Sequence, residues 1–217
     1  EVEILKALAA EKPGLAPRPL FLDEERAIAT EEAIQGDEAG ELLQPLHLPF
    51  LYALADPSSR SSLGQYRDRL RTRASGLDLD NAMATILNRV LALLDDDTEL
   101  PGVWVHGDLH AGNMVLRANG QVQGVDWAFA RQGGLPFHDI ARARLARTLS
   151  KPDVPLDAGV DRECLDAYAN ALGVSASLYP KLVAWYAART MLRHIKHGEE
   201  ANARVVAEKL KSLEYGA

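Results

Sequence analysis

The chain has 217 residues, 47% hydrophobic and 25% charged, which fits a globular protein with a sizeable core and one large or two small domains. Its formal net charge of -7 argues against a polyanionic partner such as DNA or RNA and weakly permits a cationic small substrate. The single cysteine, Cys164, excludes an internal disulfide, and no apolar run approaches the roughly 18 residues that span a bilayer, so a cytoplasmic protein without membrane contact is expected.

Residues 1–11, EVEILKALAAE, read as an amphipathic helix with apolar positions at Val2, Leu5, Leu8 and Ala9, stopped by Lys12-Pro13-Gly14. RPLFL and RAIATEEA read as two short strands joined by the acidic turn DEER, and QGDEAG punctuates the chain at Gly36 and Gly40. From about 41 to 95 the pattern is helical, interrupted at ADPSSRSS and near Gly76. Within it, Met83, Ile86, Leu87, Val90, Leu91 and Leu94 form one helical face. Residues 103–126 switch to short strands, and DIARARLARTL, RECLDAYANALG, YPKLVAWYAARTMLRHIK and EEANARVVAEKLKSL return to helix. The chain has no internal repeat and no low-complexity segment. An α+β fold is expected: a small strand-bearing N-terminal piece, then a mostly helical body with a hairpin set into it.

The segment 105–116, VHGDLHAGNMVL, places two histidines, an aspartate and an asparagine between two strand-like runs. Downstream, Asn119-Gly120 predicts a tight hairpin of type I′, whose two central residues need positive φ. A hairpin returns the chain to its origin, so Asn113 and Asp126 should lie together and offer hard oxygen ligands of the kind Mg²⁺ takes. Asp108 stands five residues before Asn113. A loop Asp that accepts the proton of an attacking hydroxyl, an Asn five residues on and an Asp after a hairpin, both on Mg²⁺, form the order of a phosphoryl-transfer site. Two other readings compete. Gly107 and Gly112 have P-loop spacing, but Asn113 stands where the lysine is required. His106, Asp108 and His110 alternate, and with Asp126 or His138 they would make a hydrolase-like Zn²⁺ site, which leaves Asn113 and the hairpin without a role.

HGDLHAGNMVL, GVDWAFA and HDIARARL together resemble the aminoglycoside phosphotransferase and choline kinase-like family, small-molecule relatives of the protein kinases with His-Gly-Asp for His-Arg-Asp. The resemblance implies a protein kinase-like fold seen mainly as its helical C-lobe, with an N-lobe remnant over residues 1–36 and the C-lobe over 37–217. It implies ATP and Mg²⁺ as cofactors and a small-molecule hydroxyl as acceptor. It makes Asp108 the catalytic base and Asn113 and Asp126 the metal ligands, with His106 and Asp139 as structural support. It also makes Glu1, with Glu3 second, the partner of the ATP-binding lysine, and it sets the backbone of Glu32, Ala33 and Ile34 against adenine. The family's glycine-rich loop and lysine have no counterpart: the chain has no Gly-x-Gly and no lysine between Lys12 and Lys151. A chain truncated at its N-terminus is expected, binding ATP poorly where a longer parent is active.

Simpler readings stand beside several of these. His106 packs and hydrogen-bonds below the loop, His110 is a loop residue near the acceptor, and Asp139 caps a helix while bracing the loop. Trp127 is a core anchor, and Trp185 and Tyr186 are core residues that lie with Arg189 on a helix that could border an acceptor pocket. Cys164 is buried and inert. The acceptor is an aminoglycoside, an amino alcohol or a sugar-like molecule. An aromatic content of 6% disfavours an aromatic cage, and the acidic balance favours a polyamine sugar. A catalytically silent ligand-binding module is the alternative to an active kinase.

Overall fold

Leu178–Lys196 forms the longest helix, and the rest of the fold is arranged around it because eleven of its nineteen residues are buried. The computed structural model describes residues 2–23, 28–40, 42–149 and 160–211, with Lys151, Val154, Leu156 and Leu213. Helix α1 (Val2–Glu11) is followed by strands β1 (Pro19–Asp23), β2 (Ile28–Glu31) and β3 (Asp37–Glu38), then α2 (Leu48–Ala53), β4 (Ala55–Ser61), α3 (Leu63–Ala74) and α4 (Asn81–Leu93). Strands β5 (Leu100–Val105), β6 (Met114–Leu116), β7 (Val122–Gly124) and β8 (Arg131–Gly134) precede α5 (His138–Leu149), α6 (Arg162–Leu172), α7 (Leu178–Lys196) and α8 (Glu200–Lys211). Side-chain oxygens of Ser62, Asp80 and Asp161 accept from backbone N–H groups to start α3, α4 and α6, and Gly173 ends α6 in the left-handed conformation that glycine adopts without strain. No described helix is long and apolar enough to cross a membrane.

Three antiparallel sheets, β1-β2, β3-β6-β7 and β4-β5-β8, are present among the described residues. ADPSSRSS, expected only to interrupt a helical region, contains edge strand β4. Its register breaks between Asp56 and Arg60, where the Asp56 carboxylate accepts from the N–H and hydroxyl of Ser58. Pro57 is tolerated there because an irregular edge needs no unbroken ladder. The expected hairpin is β6–β7, but its turn is not type I′. Gly120 N–H donates to Arg117 O, Arg117 N–H to Gln121 O, and only Gly120 of the turn has positive φ. This is a three-residue loop ending in a left-handed glycine, and the Asn119 side-chain Oδ1 stabilises it by accepting from Gln121 N–H.

The end of α1 and the loop after it are tied to the body. Leu15 O accepts from Gly124 N–H, Ala16 O from the Gln123 amide, Ala55 O from the Lys12 ammonium and the Glu11 carboxylate from the Trp104 indole. Leu5, Leu8, Leu15 and Ala16 share one core with the helical body.

Candidate active site

Strand β5 is the central strand of its sheet, and its buried Val103, Trp104 and Val105 fix the height at which the next residues leave it. His106, Gly107 and Asp108 follow at once. The Asp139 carboxylate, in the first turn of α5, accepts from His106 N–H at 2.8 Å through one oxygen and from Gly107 N–H at 2.9 Å through the other. Asp139 therefore braces the loop and does not cap its own helix. Burial pushes its carboxyl above the ordinary range, and the two N–H donors oppose that shift. The His106 ring lies 4.5 Å from that of Trp127, as a packing residue below the loop should. Its Nδ1 accepts from Asp108 N–H at 3.3 Å, so Nε2 carries the proton and donates to Val125 O at 2.8 Å.

Gly107 has φ +82, and a Cβ there would stand 2.4 Å from Phe129 O. Gly107→Ala combines a left-handed alanine with a clash against backbone, so it should destabilise by about 2 kcal/mol or more. Denaturant unfolding checks this, and a loss below 0.5 kcal/mol, the size of a neutral surface change, would contradict it.

The expected convergence of Asn113 and Asp126 has a backbone cause. Asn113 O accepts from Val125 N–H at 3.0 Å. Asn113 is buried, and its amide N–H donates to Asp108 O at 3.0 Å, which leaves Oδ1 without a protein donor among the described residues. Asp126 is exposed, has φ 59, and makes no ion pair among the described residues. A non-glycine residue in that region is strained, and such strain persists where surroundings over-determine it. The Val125–Asn113 backbone bond brings Asn113 and Asp126 together, and an unspent amide oxygen with an unspent carboxylate suits a hard cation of the kind phosphate oxygens also bind, so these residues fit Mg²⁺. Asp108 is half-buried, and its Oδ1 meets Arg142 Nη1 of α5 at 2.6 Å. The sequence reading missed Arg142.

The zinc arrangement does not form. His106 points below the loop, the exposed His110 turns back to accept from Gly112 N–H, and no three His, Cys, Asp or Glu among the described residues converge on one point. Glu1 lies outside the described residues, and Glu3 is exposed and pairs with Lys6 one turn on. Glu32 N–H donates to Arg18 O and extends the β1–β2 ladder. The backbone of Ala33 and Ile34 has no such partner among the described residues.

Beyond Gly107 the surface opens into two adjoining hollows of about 550 and 860 Å³ that share Arg73, Arg131 and Arg189. Trp185 and Tyr186 are buried core residues, as expected, and they also wall these hollows. Buried His138 sits beneath. Arg131 can only donate, so it donates to His138 Nε2 at 3.1 Å, and Nδ1–H then donates to the Tyr66 hydroxyl at 2.8 Å. Tyr186 also bonds Nε2. Burial first, and then Arg131, Arg189, Arg142 and Arg69, hold the His138 pKa well below 6.5.

Burial likewise lowers His47 and His106 from 6.5. A histidine with a depressed folded pKa binds fewer protons folded than unfolded. Its stability contribution is complete above 6.5 and is lost as pH falls through that value. Asp139 acts with the opposite sign, but from 3.8 upward and alone against three imidazoles. The melting temperature should fall between pH 7.5 and 5.5, and a flat or rising profile in calorimetry would contradict this.

The profile of a family described as a phosphotransferase enzyme family, APH, matches residues 25–185, well over half of the chain. No curated protein matches the chain significantly. Among solved structures, choline kinase LicA from Streptococcus pneumoniae is similar at 16% identity and TM-score 0.55, over 97% of this chain and 78% of that one. A type I macrolide 2′-phosphotransferase is similar at 19% identity and TM-score 0.58, over 96% and 78%. A thermostable mutant of the aminoglycoside phosphotransferase APH(4)-Ia, in ternary complex with AMP-PNP and hygromycin B, is similar at 14% identity and TM-score 0.61, over 96% and 80%. At these identities the likeness concerns the fold, which is protein kinase-like.

Proposed function

The chain belongs to the APH phosphotransferase enzyme family, and from that membership we propose that it moves the γ-phosphoryl group of ATP to a hydroxyl of a small molecule. Asp108 takes the proton as the acceptor oxygen bonds to the γ-phosphorus, the bond from that phosphorus to the β–γ bridging oxygen breaks, and ADP leaves. Asn113 Oδ1 and the Asp126 carboxylate would hold Mg²⁺, which neutralises charge on the phosphates when bound. Asp139 and His106 keep the loop at fixed height, which is a positioning role. The backbone of Ala33 and Ile34, without a backbone partner among the described residues, suits adenine, and Glu32 joins through its carbonyl alone. A division near residue 36 is part of this reading: among the described residues β1 and β2 pair with each other alone, whereas Asp37 opens a strand paired to β6. A cytoplasmic setting, where ATP is plentiful, completes the reading.

The observation that supports the proposal is the Val125–Asn113 backbone bond, which brings Asn113 to the residue before Asp126 while Asp139 braces the loop that carries Asp108. The test is acceptor-dependent ADP release from Mg-ATP by the natural polypeptide carrying this sequence, with aminoglycosides, amino alcohols, sugars and sugar acids offered in turn. Turnover lost in Asp108→Asn is the expected result. One observation favours a silent binding module: Arg142 already occupies Asp108 Oδ1. That reading predicts nucleotide binding with no turnover on any acceptor.

A further inference from the structure

The arginine-lined hollow beyond Gly107 contrasts with a chain whose formal net charge is -7. Arg69 and Arg73 lie four apart on α3, and Arg189 and Arg193 four apart on α7, so each pair presents both guanidinium groups on one helix face. Arg131 from β8 and Arg142 from α5 close the ring around the two hollows. No acidic residue lines the smaller hollow among the described residues. Asp68 is the acidic residue on the larger one, and Arg67 and Arg71 already hold it. Arg69, Arg73, Arg131, Arg189 and Arg193 have no carboxylate partner among the described residues, and Arg142 has only Asp108. Arg189 is half-buried and stacks over Trp185 at 5.6 Å and Tyr186 at 5.8 Å. Burial lowers its pKa, with Arg73, Arg142 and Arg131 acting in the same sense.

Like charges gathered without counter-charge disfavour one another, and guanidinium forks match oxyanions in geometry. None of the residues assigned to adenine or Mg²⁺ lines either hollow, whereas Gly107 of the catalytic loop does. Exposed Phe129, at 64%, offers an apolar wall at the same mouth. We infer that the hollow formed by Arg69, Arg73, Arg131, Arg142, Arg189 and Arg193 binds the acceptor, and that the acceptor is an anionic hydroxyl compound bearing a carboxylate or phosphate group. The inference rests on the proposed phosphotransfer for the word acceptor, but the anion site stands on the arginines alone. A cationic aminoglycoside or choline-like acceptor is repelled there, which reverses the preference drawn from overall charge.

The test is calorimetric titration of the natural polypeptide at constant ionic strength, without nucleotide, with inorganic phosphate, citrate, kanamycin and choline as probes. Saturable binding of phosphate and citrate is expected, weakened about tenfold in each of Arg73→Gln and Arg189→Gln. Asp108→Asn should bind the anions as well as the parent or better, because it frees Arg142. ATP should not compete for the anion site. Absence of saturable anion binding, binding indifferent to both arginine substitutions, competition by ATP, or tighter binding of kanamycin or choline would each overturn the inference. To separate phosphate- from carboxylate-bearing acceptors, glucose 6-phosphate and gluconate are compared with glucose and glucosamine in the ADP-release assay. If turnover occurs on a cationic acceptor, the anion proposal fails and the phosphotransfer reading stands. If anions bind as expected but Asp108→Asn leaves turnover intact, the reverse holds.

Discussion

Asp108→Asn should lower kcat by about 10²- to 10⁴-fold, the usual contribution of a positioned general base, while KM for ATP changes little. The substitution keeps the shape of the side chain and removes its charge, and with the charge both the capacity to take a proton and the ion pair to Arg142. Stability should move by less than about 1 kcal/mol, because the Arg142 ion pair it breaks is partly exposed and screened. The companion Arg142→Gln separates two roles for Asp108. If Asp108 served only to hold Arg142, both variants would lose activity equally. If Asp108 is the base, Arg142→Gln retains most of kcat and raises KM for the acceptor. Equal losses in kcat would overturn the assignment.

Asp139→Asn should destabilise the protein by about 3 kcal/mol and lower the melting temperature by roughly 10 °C. The native carboxylate offers an oxygen to each of two backbone N–H groups, His106 and Gly107. An amide offers one oxygen and sets an NH₂ group against the other N–H, in a buried place that water does not reach. The loop then shifts, so activity should fall as well, even in the fraction that remains folded. Unchanged unfolding with unchanged kcat would show that the loop is held by other means.

The uneven legibility of this sequence follows from how far apart interacting residues lie. The meeting of Asn113 and Asp126 was readable because it is local: a hairpin returns one to the other, and Asp108 stands only five residues before Asn113. That Asp139 braces the loop needed the family resemblance, since it lies 33 positions beyond His106. The helices were readable from their apolar period. Strand β4 was not, because Pro57 and five polar neighbours suppress any alternating pattern. The Asn-Gly pair announced a hairpin but not its turn type, which depends on which of the two residues takes positive φ. The arginine hollow was beyond reach. Its members come from α3, β8, α5 and α7, and overall charge pointed the other way.

The most direct measurement is calorimetric titration of the natural polypeptide with ATP in three settings: with Mg²⁺, with Mg²⁺ and excess EDTA, and with Mg²⁺ in Asp126→Ala. Saturable binding in the first setting that weakens at least about tenfold in both others, the size of a lost charged ligand contact, is the expected result. Binding of equal strength in all three, or none in any, would contradict the assignment of Asn113 and Asp126 and with it the phosphotransfer site.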